Sequence, residues 1–149
     1  MFCLSKGLGA PVGSLLVGSR AFIDQARIYR KALGGGMRQA GVLAAAGLIA
    51  LEQMPARLQE DHANARFLAE GLASISGLTV EPDTVATNIV ICNVSGTGLT
   101  AFEFCRRLAA HNVLASGVTP EHVRFVTHMD VDRDACRRAL EAIRAVAPA

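Results

Sequence analysis

The chain has 149 residues, of which 51% are hydrophobic and 19% charged, with a net charge of +2. That is the length of one ordinary domain and too apolar for a disordered tail. The near-balance of 15 basic and 13 acidic residues argues against a nucleic-acid surface, and 5% aromatics with no Trp argue against a platform for single strands.

Phe2 to Leu4 reads as the end of a strand. Ser5 to Gly13 is a loop with three glycines and a proline. Ser14 to Gly18 reads as a short buried strand, and Ser19 caps a helix predicted to reach Leu33. Gly34-Gly35-Gly36 ends that helix. From Ala40 to Leu51 the chain is wholly apolar, too short to span a bilayer and about right for a core helix. A helix apolar on every side must be covered on every side, so the chain is expected to be an oligomer or part of a larger body. Pro55 is expected to open a third helix, running to Ser74, with Leu58, His62, Ala65, Leu68, Ala69 and Leu72 on one face.

After Gly77 the pattern changes to short β-rich runs between two helices. Leu78 to Glu81, Ala86 to Val94, Val113 to Val118 and Val123 to Thr127 are predicted strands. Thr100 to His111 and Asp130 to Val146 are predicted helices. The order suggests a small α+β domain with helices on one face of a mixed sheet. The boundary is placed near Gly77, giving domains 1–76 and 77–149.

The four cysteines and four histidines show neither zinc-ligand nor disulfide-scaffold spacing, so reduced thiols and no metal site are expected. The N-terminus lacks the basic and apolar regions of a secretory signal. Gly7, Gly9 and Gly13 match neither a dinucleotide fingerprint nor a Walker loop.

Lys6 stands among glycines that expose it. Most such lysines are merely solvated, but a lysine that forms a Schiff base needs an accessible amine with small neighbours. Arg124 lies in a short apolar strand, with Val123, Phe125 and Thr127 on one face and Arg124 and Val126 on the other. Its partner is either a ligand carboxylate or a surface Asp or Glu. Lys31 and Arg38 bracket the triple glycine, where they could hold a phosphate or be solvated charges, Lys31 compensating a helix C-terminus. His62 reads as a core histidine.

Four ordered motifs carry a resemblance. Cys3-Leu4-Ser5-Lys6-Gly7-Leu8-Gly9-Ala10-Pro11-Val12-Gly13-Ser14 resembles the cofactor-lysine segment of the low-specificity L-threonine aldolases. Arg30-Lys31-Ala32-Leu33-Gly34-Gly35-Gly36-Met37-Arg38-Gln39 is similar to the segment that follows it. Asp61-His62-Ala63-Asn64-Ala65 and Val123-Arg124-Phe125-Val126-Thr127-His128 match two further landmarks in the expected order.

The resemblance implies an α/β fold: the C-terminal part of a fold-type I enzyme dependent on pyridoxal 5′-phosphate (PLP), namely the end of its large domain plus the small α+β domain. It implies retro-aldol cleavage of β-hydroxy-α-amino acids, such as threonine and allo-threonine, to glycine and an aldehyde. Lys6 would hold the cofactor covalently, Lys31 and Arg38 would lie near it, and Arg124 would bind the substrate carboxylate. The family's phosphate loop, ring-stacking group, pyridine-pairing acid and second carboxylate-binding arginine belong to a segment before the lysine, with no counterpart here. The chain is therefore expected to be inactive alone and to work in a homodimer or homotetramer with full-length chains. The alternative is a non-catalytic fragment that only associates with such chains. A cytosolic location is expected, with a mitochondrial one left open, and neither nucleic acid nor membrane is an expected partner.

Overall fold

The computed structural model describes residues 1–147 as two compact units, Met1–Leu58 and the chain from Gln59 onward. In the first unit, β1 (Phe2–Cys3) pairs antiparallel with β2 (Ser14–Leu15), Phe2 opposite Leu15 and Cys3 opposite Ser14. The connecting loop folds back so that the Leu4 amide donates to the Gly13 carbonyl at 2.9 Å and the Ala10 amide to the Leu4 carbonyl at 3.0 Å. Leu4, Ala10 and Ala50 form a small buried cluster. The expected buried strand over Ser14–Gly18 shrinks to two residues, and Val17 is 65% exposed. Its partner β1 is equally short, and among the described residues no strand pairs with Leu16 or Val17, which stand exposed.

Helix α1 (Arg20–Ala32) begins as predicted, with the Phe22 amide donating to the Ser19 hydroxyl. None of its residues is buried. Helix α2 (Gly41–Ala73) is continuous, with Pro55 inside it rather than at a start. Proline removes one amide donor and crowds the carbonyl four residues earlier. Here that carbonyl belongs to Leu51, and both Leu51 and Pro55 are exposed residues of α2. The surrounding Glu52, Gln53, Met54, Ala56, Arg57 and Leu58 are strong helix formers, so the helix passes through. No helix among the described residues is long and apolar enough to cross a membrane.

The second unit contains the C-terminal part of α2, a three-stranded sheet and two more helices. The elements are β3 (Ile89–Asn93), α3 (Ala101–Ala109), β4 (Ser116–Gly117), β5 (His122–Val126) and α4 (Arg133–Val146). The strand order is β3-β5-β4 and both ladders are antiparallel, where a mixed sheet was expected. The four-residue link from β4 to β5 is a hairpin connection, too short for a parallel crossover. Of the strand predicted over Val113–Val118, only Ser116 and Gly117 pair.

Alternation along the strands separates two faces. Val90, Cys92, Val123 and Phe125 are buried against Leu68 and Leu72 of α2, Phe104 and Leu108 of α3, and Leu140 and Ile143 of α4. Ile89, Ile91, Arg124 and Val126 stand exposed on the other face. Thr100 and Asp132 cap α3 and α4 by accepting the Glu103 and Ala135 amides at 3.2 and 2.7 Å. Helices α2 and α4 meet at Gly71, where a Cβ would lie 2.3 Å from Leu140 Cδ1. The inner face of α2 carries Asp61, Asn64, Ala65, Leu68, Ala69 and Leu72, while His62 is only half-buried. The face is set one residue away from His62 because polar ties pull there: Thr127 Oγ1 donates to the Asp61 carbonyl at 2.7 Å, and Asn64 Nδ2 to the Val131 carbonyl at 3.1 Å.

Candidate active-site residues

Lys6 sits at the tip of the turn between Leu4 and Ala10, exposed, with its carbonyl accepting the Gly9 amide at 2.9 Å. The turn depends on glycine at two places. Gly9 has φ +72°, a left-handed conformation that side chains disfavour. A Cβ on Gly7 would lie 2.9 Å from Leu58 Cδ2, so the chain beside the lysine must lack one. The result is an amine lifted on a tight, small-residue loop. Lys31 and Arg38 are exposed on either side of the triple glycine, and Lys31 lies back along it: a Cβ on Gly36 would be 3.0 Å from Lys31 Nζ. Gly34, at φ +83°, provides the left-handed exit from α1. Among the described residues, Lys6, Lys31 and Arg38 form no side-chain hydrogen bond or ion pair.

Arg124 stands in the C-terminal unit at the centre of β5, opposite Ile91 of β3 and Ser116 of β4. It has no ion pair among the described residues, so the alternative of a surface Asp or Glu partner has no support. It lines a shallow hollow of about 290 Å³ with Leu114, Ala115, Ser116, Val126 and His128. His128 was not singled out from the sequence. The signal was there: Arg124, Val126 and His128 are spaced by two, the repeat of one strand face.

The far end of β5 is firmly tied. The Thr127 amide donates to the Asn88 carbonyl at 3.0 Å, and Asn88 Nδ2 donates to the Thr127 carbonyl at 2.8 Å. With the Thr127 hydroxyl on α2, these bonds fix the strand that carries Arg124. At its near end, His122 Nδ1 meets Thr119 Oγ1 at 2.8 Å.

The shifted ionisable groups lie elsewhere. Burial pushes the Cys92 thiol up to about 11, and burial likewise raises Cys105 and Cys136, so these thiols are poor nucleophiles at neutral pH. Glu103 is held down to about 2 by hydrogen bonds from Arg106 and then Arg107. That is the first turn of α3, an ordinary stabilising arrangement.

Comparison with known proteins bears on what these residues belong to. The chain is 48% identical over 132 residues to the low specificity L-threonine aldolase of Escherichia coli K12, covering 89% of this chain and 38% of that protein. It is 45% identical over 130 residues to low-specificity L-threonine aldolase 1 of Arabidopsis thaliana, covering 87% and 36%. It thus spans little more than a third of the length of these relatives. Its fold matches a crystal structure described as an L-allo-threonine aldolase of Listeria monocytogenes, with a TM-score of 0.75 at 18% identity, over 97% of this chain and 43% of that one. It also matches the aspartate aminotransferase of Rhizobium meliloti, with a TM-score of 0.61 at 16% identity, over 87% and 36%. These likenesses show the expected fold class, part of a fold-type I enzyme with mixed α and β structure. Residues 1–95, well over half of the 149 and including the Lys6 loop and the glycine-flanking cations, match the family described as Beta-eliminating lyase, and the chain belongs to that family.

Proposed function

We propose that this chain forms part of a PLP-dependent aldolase that cleaves β-hydroxy-α-amino acids, such as threonine and allo-threonine, to glycine and an aldehyde. The observation that carries the reading is the Lys6 loop. The exposed amine on a turn that excludes a Cβ at Gly7 suits a lysine that must reach a cofactor aldehyde. Lys31 and Arg38, which have no side-chain partner among the described residues, suit a phosphate. The names of the relatives support the substrate class.

When bound, the cofactor supplies an electron sink for the charge left on the carbon that becomes glycine. The residues supply the rest. Lys6 would hold the cofactor covalently through its amine. Lys31 and Arg38 neutralise phosphate charge. Arg124 takes the substrate carboxylate in two parallel hydrogen bonds, which fixes the orientation of the bond to be broken. Residues 1–76 form the end of the large domain with its connecting helix, and residues 77–149 form the small domain. The working enzyme is a cytosolic homo-oligomer, and catalysis requires groups beyond these 149 residues. That last point rests on the short span of the relatives' length that the chain covers.

Borohydride reduction with PLP, followed by peptide mapping, tests the reading. In a chimera that joins residues 1–149 to the preceding segment of the Escherichia coli relative, the label should fall on Lys6. No label there would overturn the role of Lys6. Specific labelling of Lys6 in the 149-residue chain alone would show that this part binds PLP by itself and refute the need for outside groups. A second reading, association without catalysis, is favoured by α1, which buries none of its residues. Inactivity of the chimera, with intact assembly, would select it.

A further inference from the structure

We infer that His128 is a second donor to the carboxylate that Arg124 takes, the two forming one anion-binding hollow. The inference rests on the proposed role of Arg124 and extends it to a residue outside that assignment. Both side chains line the same hollow of about 290 Å³, a volume suited to one end of a small solute. Val126 lies between them on the strand, and Leu114 forms an apolar wall.

Two states of the His128 ring leave Nε2 a donor. Its Nδ1 accepts the Asp130 amide at 3.3 Å and lies 3.4 Å from Asp130 Oδ2. When Nδ1 accepts from the amide, the neutral ring carries its proton on Nε2. When the ring is fully protonated and pairs with Asp130, Nε2 carries a proton as well. In both of these states Nε2 is a donor, and no described residue accepts from it; a neutral ring donating Nδ1–H to Asp130 Oδ2 would instead make Nε2 an acceptor. A carboxylate has lone pairs enough for a guanidinium and an imidazole together.

The competing role is local: His128 also shapes the turn into α4, where its carbonyl accepts the Val131 amide at 2.8 Å. Two substitutions separate the roles. Asn reproduces the position of Nδ1 and keeps a turn acceptor, but offers no donor at Nε2. Gln places an amide donor near Nε2 and gives up the turn contact. The probe is trifluoroacetate, observed by ¹⁹F relaxation with the chain in whatever oligomer it forms, and competed with threonine. The Arg124→Gln chain supplies the background from other surface cations.

Relative to that background, His128→Asn should weaken trifluoroacetate binding about tenfold with little change in Tm, the loss expected for one hydrogen bond to a charged group. His128→Gln should retain most of the binding and lower Tm. Unchanged binding in His128→Asn, with binding lost in Arg124→Gln, would overturn the role of His128 and leave that of Arg124 standing. Binding no stronger in the unmodified chain than in Arg124→Gln would overturn both. Loss of binding in Gln but not in Asn would assign His128 to the turn alone.

Discussion

Thr127→Val is a clean probe of what holds the Arg124 strand in place. Thr127 is 1% exposed, and its hydroxyl donates to the Asp61 carbonyl at 2.7 Å. Valine has nearly the same shape, so the substitution opens no cavity. The Asp61 carbonyl lies inside α2 and keeps its helical partner, so no buried acceptor is orphaned. What is lost is one net hydrogen bond, about 0.5–1.5 kcal/mol. Thr127→Ala loses that bond and also empties the space of a buried methyl group, which adds about 1 kcal/mol. Urea unfolding followed by circular dichroism should place the midpoints in the order Thr, Val, Ala. The first step should be roughly 0.3–1 M if the slope is that of a small domain. In the chimera, Thr127→Val should also raise KM more than it lowers kcat, because a looser strand end blurs the position of Arg124. A Val variant as stable as the parent, with unchanged kinetics, would refute the claim that this bond ties the sheet to the helix.

Gly71→Ala should destabilise by about 1–2 kcal/mol, although alanine is the better helix former, because the Leu140 side chain 2.3 Å from the added Cβ must leave its packed position; a higher Tm would contradict the close approach. Glu103, lowered from 4.5 to about 2, contributes stability that is complete above its unfolded value and is lost as pH falls through its folded value. Acid titration should therefore show a loss between pH 4.5 and about 2 that Glu103→Gln abolishes and that added salt reduces; an unchanged acid profile in the variant would exclude Glu103. Arg124→Lys in the chimera should lower kcat/KM by one to two decades, the equivalent of about 1.5–3 kcal/mol for a charge-assisted pair; unchanged kinetics would remove Arg124 from substrate binding. The purified chain should self-associate, since Phe22, Ile28, Tyr29 and Leu33 are 51–86% exposed in α1 and the residue after it; a dilute monomer in sedimentation, with a sharp unfolding transition, would refute this.

The legible parts of the sequence were those governed by local rules. Ser19 caps α1 as predicted, and the helices predicted over Thr100–His111 and Asp130–Val146 form as Ala101–Ala109 and Arg133–Val146, with Thr100 and Asp132 as their caps. The alternation around Arg124 gave the correct faces because a buried side must be apolar at every second residue. Pro55 misled because its local cost is weighed against the rest of the helix, and the strong helix formers on both sides carry α2 through it. His62 misled by a single residue. Hydrophobic spacing tolerates a shift of that size, and polar ties at Asp61 and Asn64, made by residues more than sixty positions away, decided the phase. The antiparallel order of the sheet depends on which strand lies between which, and short apolar runs carry no record of their partners. For His128 the spacing of two gave only its face, the one that carries Arg124 and Val126; its importance comes from the hollow, a tertiary object.

The Arg124 face is best understood as a consequence of the core on the opposite side. Val123 and Phe125 are 0% and 4% exposed, and each must stay in that core. With a repeat of two, their burial forces Arg124 and Val126 outward, and a slip of one residue would bury the guanidinium among leucines. Hydrophobic packing alone therefore specifies the face without specifying the endpoint of the strand. The endpoint is set by the reciprocal bonds between Asn88 and Thr127, which end the β3–β5 ladder at a defined residue. The hydroxyl of Thr127 then joins that residue to α2. Burial chooses which side chains meet solvent, and the terminal hydrogen bonds choose where along the sheet they do so. A side chain that must meet a ligand carboxylate needs both. This accounts for an arginine, two buried apolar residues and a threonine standing together in Val123-Arg124-Phe125-Val126-Thr127.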